Sequence, residues 1–352
     1  MSSSVRCVLA ALVFAIACTP EQVAGPAQQG LEVRTARPSA SAWVAQEIGV
    51  PTGDGSSEPL GVNDFGHVVG RSFPASGPAA FHAFLQVGST MTVLSDSGSA
   101  MAISSGSPIY ITGSDYSPGY DDVARWTYDP STGTTTQALL GAGGAGRDIN
   151  DAGTIVGTSG TRALVWPLGA DPTFIDAPAG FTHAQGRGIN NAGHLSLTFQ
   201  GVTPRGFLKI GSTMIELIPG PGHTMSFSGD VSEPVNGIVY VAGISAGNVE
   251  TDYHLARWKV DVGAGTVVSV EVRGEVGEGG GVSNAGAVAG QKEGKQSSTA
   301  FVWSLNTTTS LKATKGGTNT EAVDMSANGR YVIGTATYSL RRRGLLWVNQ
   351  TP

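Results

Sequence analysis

One short pattern recurs through almost the whole chain. It reads VNDFGHVVG at 62–70, INDAGTIVG at 149–157, VSNAGAVAG at 282–290 and MSANGRYVIG at 325–334. INNAGHLSL at 189–197 is a further copy in which Leu replaces the last Gly, and degenerate copies run from Ile103 to Gly113 and from Val231 to Gly243. The copies end at 70, 113, 157, 197, 243, 290 and 334, a spacing of 40 to 47 residues. A self-similar period of this length means that one supersecondary unit is built repeatedly and stacked on its neighbours.

A second motif keeps step with the first: a small residue, two apolar residues and often Trp. Copies are AFLQ at 83–86, ALVW at 163–166, GFLK at 206–209, AFVW at 300–303 and GLLW at 344–347, with ARW at 124–126 and 256–258 as shorter forms. Five of the 6 Trp (Trp126, Trp166, Trp258, Trp303 and Trp347) occupy this slot. Each unit reads as strands. Apolar alternation leads into Asn-x-x-Gly, where Asn bonds its own backbone and Gly takes positive φ. A Val/Ile strand follows, then a longer polar stretch, the strand ending in Trp, a short Gly turn and a fourth strand such as Met91–Leu94 or Met214–Leu217. Four antiparallel strands every ~44 residues is the pattern of a β-propeller blade.

The two ends fit together. The last unit stops after its third strand, near Trp347, while residues 43–49 form a strand with no unit before them. The expectation is an all-β, seven-bladed propeller over 43–352, closed by pairing of the N-terminal strand beside 344–348, which removes open sheet edges. A linear solenoid would instead need polar capping repeats.

His82-Ala83-Phe84, followed by a strand and the Asn-x-x-Gly-x-Val-x-Gly type of motif, resembles the bacterial HAF-repeat family of extracellular proteins over residues 43–352. His-Ala-Phe is complete only at this one place. The resemblance implies the fold and an extracellular address; it carries no assigned activity over to residues of this chain.

The N-terminus carries its own address. MSSSVRCVLAALVFAIAC (1–18) has Arg6 followed by about ten apolar residues, too few to span a bilayer, which takes about 20. Ala15-Ile16-Ala17-Cys18 resembles the bacterial lipobox, in which the Cys becomes the lipidated first residue. Thr19 in place of Asp implies outer-membrane retention, with the anchored protein facing the periplasm or the cell surface. Residues 1–17 are expected to leave as a signal peptide and 18–42, rich in Pro, Gln, Ala and Ser, to act as a tether. The 2 Cys are Cys7 and Cys18, so the mature fold has no disulfide, and lipid on Cys18 is the expected membrane attachment.

Composition narrows the function. The chain has 352 residues, 51 of them Gly; 14% are charged, against roughly 25% in an average protein. The net charge of -6 makes the chain a poor expected partner for nucleic acid, whose phosphates need a basic face.

Four motifs invite a chemical reading. GAGGAG (141–146) matches a dinucleotide fingerprint, but a blade rather than a helix follows it. GISAG (243–247) matches a hydrolase elbow, but Gly243 is the usual end-of-motif Gly and Ser245 aligns with Ser72 and Ser159. His67, His82, His183, His194, His223 and His254 show no zinc-pair spacing; His67 and His194 read as solvated strand residues, and a metal site assembled from different blades stays open. Asp115, Asp121 and Asp122 share a Gly-containing loop that could hold Ca²⁺, although its spacing does not match an EF-hand, so calcium at 114–122 stays open. No cofactor and no metal ligand set is assigned.

The expected function is a lipid-anchored, monomeric binding or scaffolding module for an extracellular protein or glycan. The alternative is a propeller hydrolase or lyase acting on an extracellular polymer. The stretches 71–81, 114–122, 245–253, 291–299 and 335–343 vary between units and are expected to share one face of the ring. They hold the candidate recognition residues Phe73, Tyr116, Tyr120, Asp121, Asp122, Tyr253, Lys292, Lys295, Tyr338, Arg341, Arg342 and Arg343. Aromatics and Arg are the usual anchors of interfaces. The Asn-x-x-Gly turns share the opposite face and are too repetitive to be specific.

Overall fold

The Gly that ends each motif explains why the repeat pairs as it does. An added Cβ would come within 2.1 Å of Glu58 O at Gly70, 1.9 Å of Ser99 O at Gly113, 2.0 Å of Phe227 O at Gly243 and 1.8 Å of Glu321 O at Gly334. Each lies beside a β-bulge in the neighbouring strand, where one backbone crowds the other. In the copy that lost this Gly, Leu197 faces Gly186, so the small residue stands on the partner strand.

The computed structural model describes residues 42–351 apart from 77–80, 117–120, 142, 249–250, 295–296, 306 and 340. In chain order the strands are β1 (Trp43–Glu47); β2 (Asp54–Val62), β3 (Val68–Pro74), β4 (His82–Val87), β5 (Thr90–Ser95); β6 (Gly98–Ile103), β7 (Ile109–Asp115), β8 (Asp122–Asp129), β9 (Thr134–Leu139); β10 (Ala145–Ile149), β11 (Ile155–Ser159), β12 (Arg162–Trp166), β13 (Thr173–Ile175); β14 (His183–Ile189), β15 (Leu195–Gln200), β16 (Arg205–Ile210), β17 (Thr213–Leu217). They continue with β18 (Met225–Val231), β19 (Ile238–Asn248), β20 (Asp252–Asp261), β21 (Thr266–Val282), β22 (Val288–Glu293), β23 (Ser298–Trp303), β24 (Thr308–Ser310), β25 (Thr318–Met325), β26 (Tyr331–Tyr338) and β27 (Arg341–Asn349). No helix occurs among the described residues.

β2–β5, β6–β9, β10–β13 and β14–β17 are four-stranded antiparallel meanders. β25, β26 and β27 form a further four-stranded sheet with β1 on its outer edge. Trp43 lies opposite Asn349 and Glu47 opposite Leu345, the pairing expected of the first and last segments. β18–β24 form one seven-stranded sheet, a departure from four strands per repeat. Its cause is β21, which pairs with β20 up to Val276 and with β22 from Gly277. No residue within it takes positive φ, so no turn separates the two halves.

The core lies between successive sheets. Val69, Ala83, Leu85 and Leu94 of one sheet pack on Ala100, Ile109, Ile111 and Trp126 of the next. Ile48, Val62, Val68 and Phe84 pack likewise on Ile333 and Leu346, joining the chain's two ends. Trp126, Trp258 and Trp347 are fully buried, and their indole N–H groups reach back to the preceding repeat: to Leu94 O (3.2 Å), Ile218 O (2.7 Å) and Lys312 O (2.7 Å). Trp166 differs: it is half-buried and bonds Ala170 O in its own repeat.

The Asn-x-x-Gly turns form a closed belt of hydrogen bonds. The N–H of Asp64 donates to Ser105 Oγ (3.1 Å), that of Ser105 to Asp151 Oδ1 (2.7 Å) and that of Asp151 to Asn191 Oδ1 (2.7 Å). Asn191 N–H donates to Glu233 Oε1 (2.8 Å), Glu233 N–H to Asn284 Oδ1 (2.9 Å) and Asn284 N–H to Ala327 O (2.8 Å). Asn328 N–H then donates to Asp64 Oδ1 (2.8 Å), which returns the belt to its start.

Candidate functional site

The innermost strands β10, β18 and β25 each carry an Asp at the bulge, and these three residues face a central channel. Asp148 accepts the N–H of Ile149 and of Ile189 in the next repeat; Asp230 accepts those of Val231 and Val282; Asp324 accepts those of Met325 and Val62. They sit deep among protein atoms while keeping part of their surface toward the channel. Burial is the main reason that all three titrate above the ordinary carboxylate range, Asp148 at about 6 and Asp324 at about 7. Asp230 is pushed up by burial and then by the charges of Asp148 and Asp324.

The three carboxyls separate two funnels. The turn-side funnel, about 320 Å³, is rimmed by the belt, including Asp64, Asp151 and Glu233. Burial raises the Asp64 and Glu233 carboxyls, and their acidic neighbours add to it. The loop-side funnel, about 390 Å³, is lined by Leu60, Met101, Phe227, Ile244 and Val323 together with Arg147 and Arg187. Burial and then the Arg147 charge lower the Arg187 pKa. Sequence reading missed these groups, although Asp directly before the apolar start of the motif at 148, 230 and 324 is a periodic signal.

The variable stretches are shorter than the sequence suggested, because the strand ladders run outward into them. Phe73, Asp122, Tyr253, Lys292, Tyr338, Arg341, Arg342 and Arg343 belong to strands, and only the hairpin tips are irregular. Some of the candidates meet. Phe73, Arg341 and Arg342 line one cleft of about 340 Å³, and Arg342 also lines a second of about 410 Å³ with Glu293 and Glu321. Arg343 lies 5.4 Å from the ring centre of Tyr338 and bonds Glu47 Oε2 at 2.7 Å. Arg71 stacks over Phe73 and Phe81. Tyr253 is drawn to Glu293; burial first, then this bond, pushes its phenol up to about 12. Tyr116, Asp121, Asp122 and Lys292 line neither cleft. Asp115 is buried and accepts bonds from Gln137 of its own sheet (2.8 Å) and from Ser95 of the preceding one (2.7 Å), which ties the two sheets together. Tyr120, Lys295 and Cys18 lie outside the described residues, as do the signal peptide and the tether up to residue 41.

His67 and His194 are not solvated strand residues. His194 is buried and His67 half-buried, each ring facing the Asn that opens its turn, and burial lowers both pKa values. The GISAG stretch is more informative than its motif match suggested. Ser245 Oγ lies 2.8 Å from His223 Nδ1, with Asp252 beyond the ring. Ser245 is fully buried and its Oγ also accepts the N–H of Gly220 at 2.8 Å, so it offers no face to a substrate as a nucleophile. His223 and His254 stack at 5.2 Å. Among the described residues, His223, Asp252 and His254 bring one ligand atom each within 4.8 Å of one another, a convergence hidden by their separation in sequence.

No family model and no curated protein matches the chain. Solved structures do. A catalytically inactive virginiamycin B lyase from Staphylococcus aureus with quinupristin is 13% identical at a TM-score of 0.56, covering 86% of this chain and 99% of its own. The β-propeller domain of the Trilobed protease from Pyrococcus furiosus is 8% identical at 0.53, covering 85% and 97%. YCF48 bound to D1 peptide is 10% identical at 0.52, covering 89% and 98%. At such identities the likeness concerns the fold alone: this is a β-propeller. No helix of the described residues is long and apolar enough to cross a membrane.

Proposed function

We propose that the chain is a seven-bladed propeller of the HAF-repeat kind, exported and held at the outer membrane by lipid on Cys18, which binds an extracellular protein or glycan through its loop side. The blade count takes β18–β24 as two blades sharing β21, in line with the sequence period. The observation that carries the binding reading is the pair of clefts joined at Arg342, where Phe73 lies beside the exposed guanidinium groups of Arg341 and Arg342, the latter held half-exposed by Glu321 and Thr335. Such pairs supply rigid apolar area together with directional donors. The turn side is the poorer candidate, because its belt side chains are already committed to neighbouring backbone groups.

The test is a binding screen of the chain against extracellular polysaccharides and displayed extracellular proteins, repeated with Phe73→Ala/Arg341→Ala/Arg342→Ala and with the exposed turn residue Phe65→Ala. The reading expects the first set to lose binding by at least about tenfold and Phe65→Ala to keep it, since interface anchors cost roughly 2 kcal/mol or more each. Loss confined to Phe65→Ala would reverse the assignment of faces.

A further inference from the structure

We propose that His223, Asp252 and His254 form a binding site for a divalent transition metal of the zinc class. The geometry of the hydrogen bonds carries the proposal. His254 Nδ1 lies 3.0 Å from the backbone carbonyl of Glu275, an acceptor only, so Nδ1 holds the proton. Nε2 then faces Asp252 Oδ1 at 3.0 Å. That contact is satisfied either by a proton held between the ring and the carboxyl or by a cation shared between a nitrogen lone pair and the carboxylate. His223 favours the second. Its Nε2 stands 3.8 Å from the same Oδ1, too far for a hydrogen bond, while its Nδ1 is held by Ser245.

The donor set is two imidazoles and one carboxylate, which suits zinc rather than calcium or magnesium. Ligands about 2.0 Å from a tetrahedral zinc lie about 3.3 Å from one another, between the 3.0 and 3.8 Å seen here. Each imidazole has an outer partner for its other nitrogen: the Glu275 carbonyl fixes the His254 tautomer, and the Ser245 hydroxyl, which can accept from Nδ1, orients the His223 ring. A Cβ at Gly247 would come within 2.3 Å of Asp252 Oδ2, so Gly247 makes room for the carboxylate. The GISAG stretch thus supports the cluster through Ser245 and Gly247. Both rings are sheltered, at 12% and 13% exposure, while Asp252 is 49% exposed, which leaves an entry path and an open coordination position.

The test is calorimetric titration of Zn²⁺ into the full chain carrying Cys7→Ser and Cys18→Ser, so that no thiol competes, with Co²⁺ absorption as a second readout of ligand geometry. One equivalent of Zn²⁺ is expected to bind. His254→Gln and Asp252→Asn should each weaken it at least about tenfold, Ser245→Ala by about 10–100-fold as an outer-shell change, and His183→Ala should leave it unchanged. Metal-free melting curves identify any variant that fails to fold; Asp252→Asn, at a half-exposed position, decides the matter if a His variant does. Absence of stoichiometric Zn²⁺ binding, or binding that Asp252→Asn leaves intact, would overturn the proposal.

Discussion

The carboxylate of Asp324 accepts the backbone N–H of Val62 at 3.0 Å, across 262 residues of chain. It joins the innermost strand of the last repeat to that of the first, as Asp148 joins its strand to Ile189 and Asp230 to Val282. In each receiving repeat the slot that could hold an Asp holds Gly instead: Gly61, Gly188 and Gly281. At Gly281 the reason is spatial, since an added Cβ would come within 2.5 Å of Asp324 Oδ1. Acid and glycine therefore alternate around part of the axis, and the channel is drawn tight by the carboxylates themselves.

These carboxyls make stability depend on pH in an unusual direction. An unfolded Asp titrates near 3.9, whereas Asp148 and Asp324 titrate at about 6 and about 7 in the fold. Between those limits the native state binds more protons than the unfolded chain. The stabilisation is therefore complete below about pH 4 and lost as pH rises through 6 to 7. Urea midpoints should fall between pH 5 and pH 8 by an amount worth on the order of 4 kcal/mol. Asp230→Asn should flatten the profile by removing one of the mutually repelling charges. A midpoint that is constant or rises over this range would count against the channel assignment.

Gly334→Ala should destabilise the fold by about 3 kcal/mol or more, because its Cβ would sit 1.8 Å from Glu321 O and the backbone must move. Gly88→Ala provides the contrast. Its φ of 58° disfavours a side chain, but nothing lies within 4 Å of the added Cβ, so a cost nearer 1 kcal/mol is expected. Equal melting temperatures for the two variants would refute the crowding argument.

Much of this was legible in the sequence, and the remainder was hidden for physical reasons. The period located the turns and the Trp slot, and the unmatched strand at 43–49 located the junction of the ends. The merger of two repeats through β21 left no signal, because the stretch around Gly274 reads like any other Gly-rich connection. Strand extension concealed the true place of Phe73, Tyr253 and Arg341, since Ser, Thr and Tyr near hairpin tips suit loop and ladder alike. The His223–Asp252–His254 cluster was invisible because its members belong to a connection and a strand that meet only after folding.

The buried indoles supply a test of contact between repeats. Trp258→Phe removes the donor to Ile218 O and should cost about 1–3 kcal/mol, from the unsatisfied carbonyl and the lost ring. Trp166→Phe should cost less than about 1 kcal/mol, because that indole is half-buried and bonds within its own repeat. Chemical denaturation of both variants measures the difference, and a larger loss at Trp166 would contradict the packing described.

The central claim is that the first strand completes the last sheet, and a disulfide tests it most directly. Val44 and Val348 are antiparallel partners across β1 and β27. Such partners lie about 4.5–5.5 Å apart at Cα, within the range a disulfide spans. In a chain with Cys7→Ser and Cys18→Ser, the pair Val44→Cys/Val348→Cys should oxidise to a single intramolecular bridge, detected by peptide mapping without reductant, and should raise the melting temperature. Two free thiols in the folded, oxidised protein would contradict the closure.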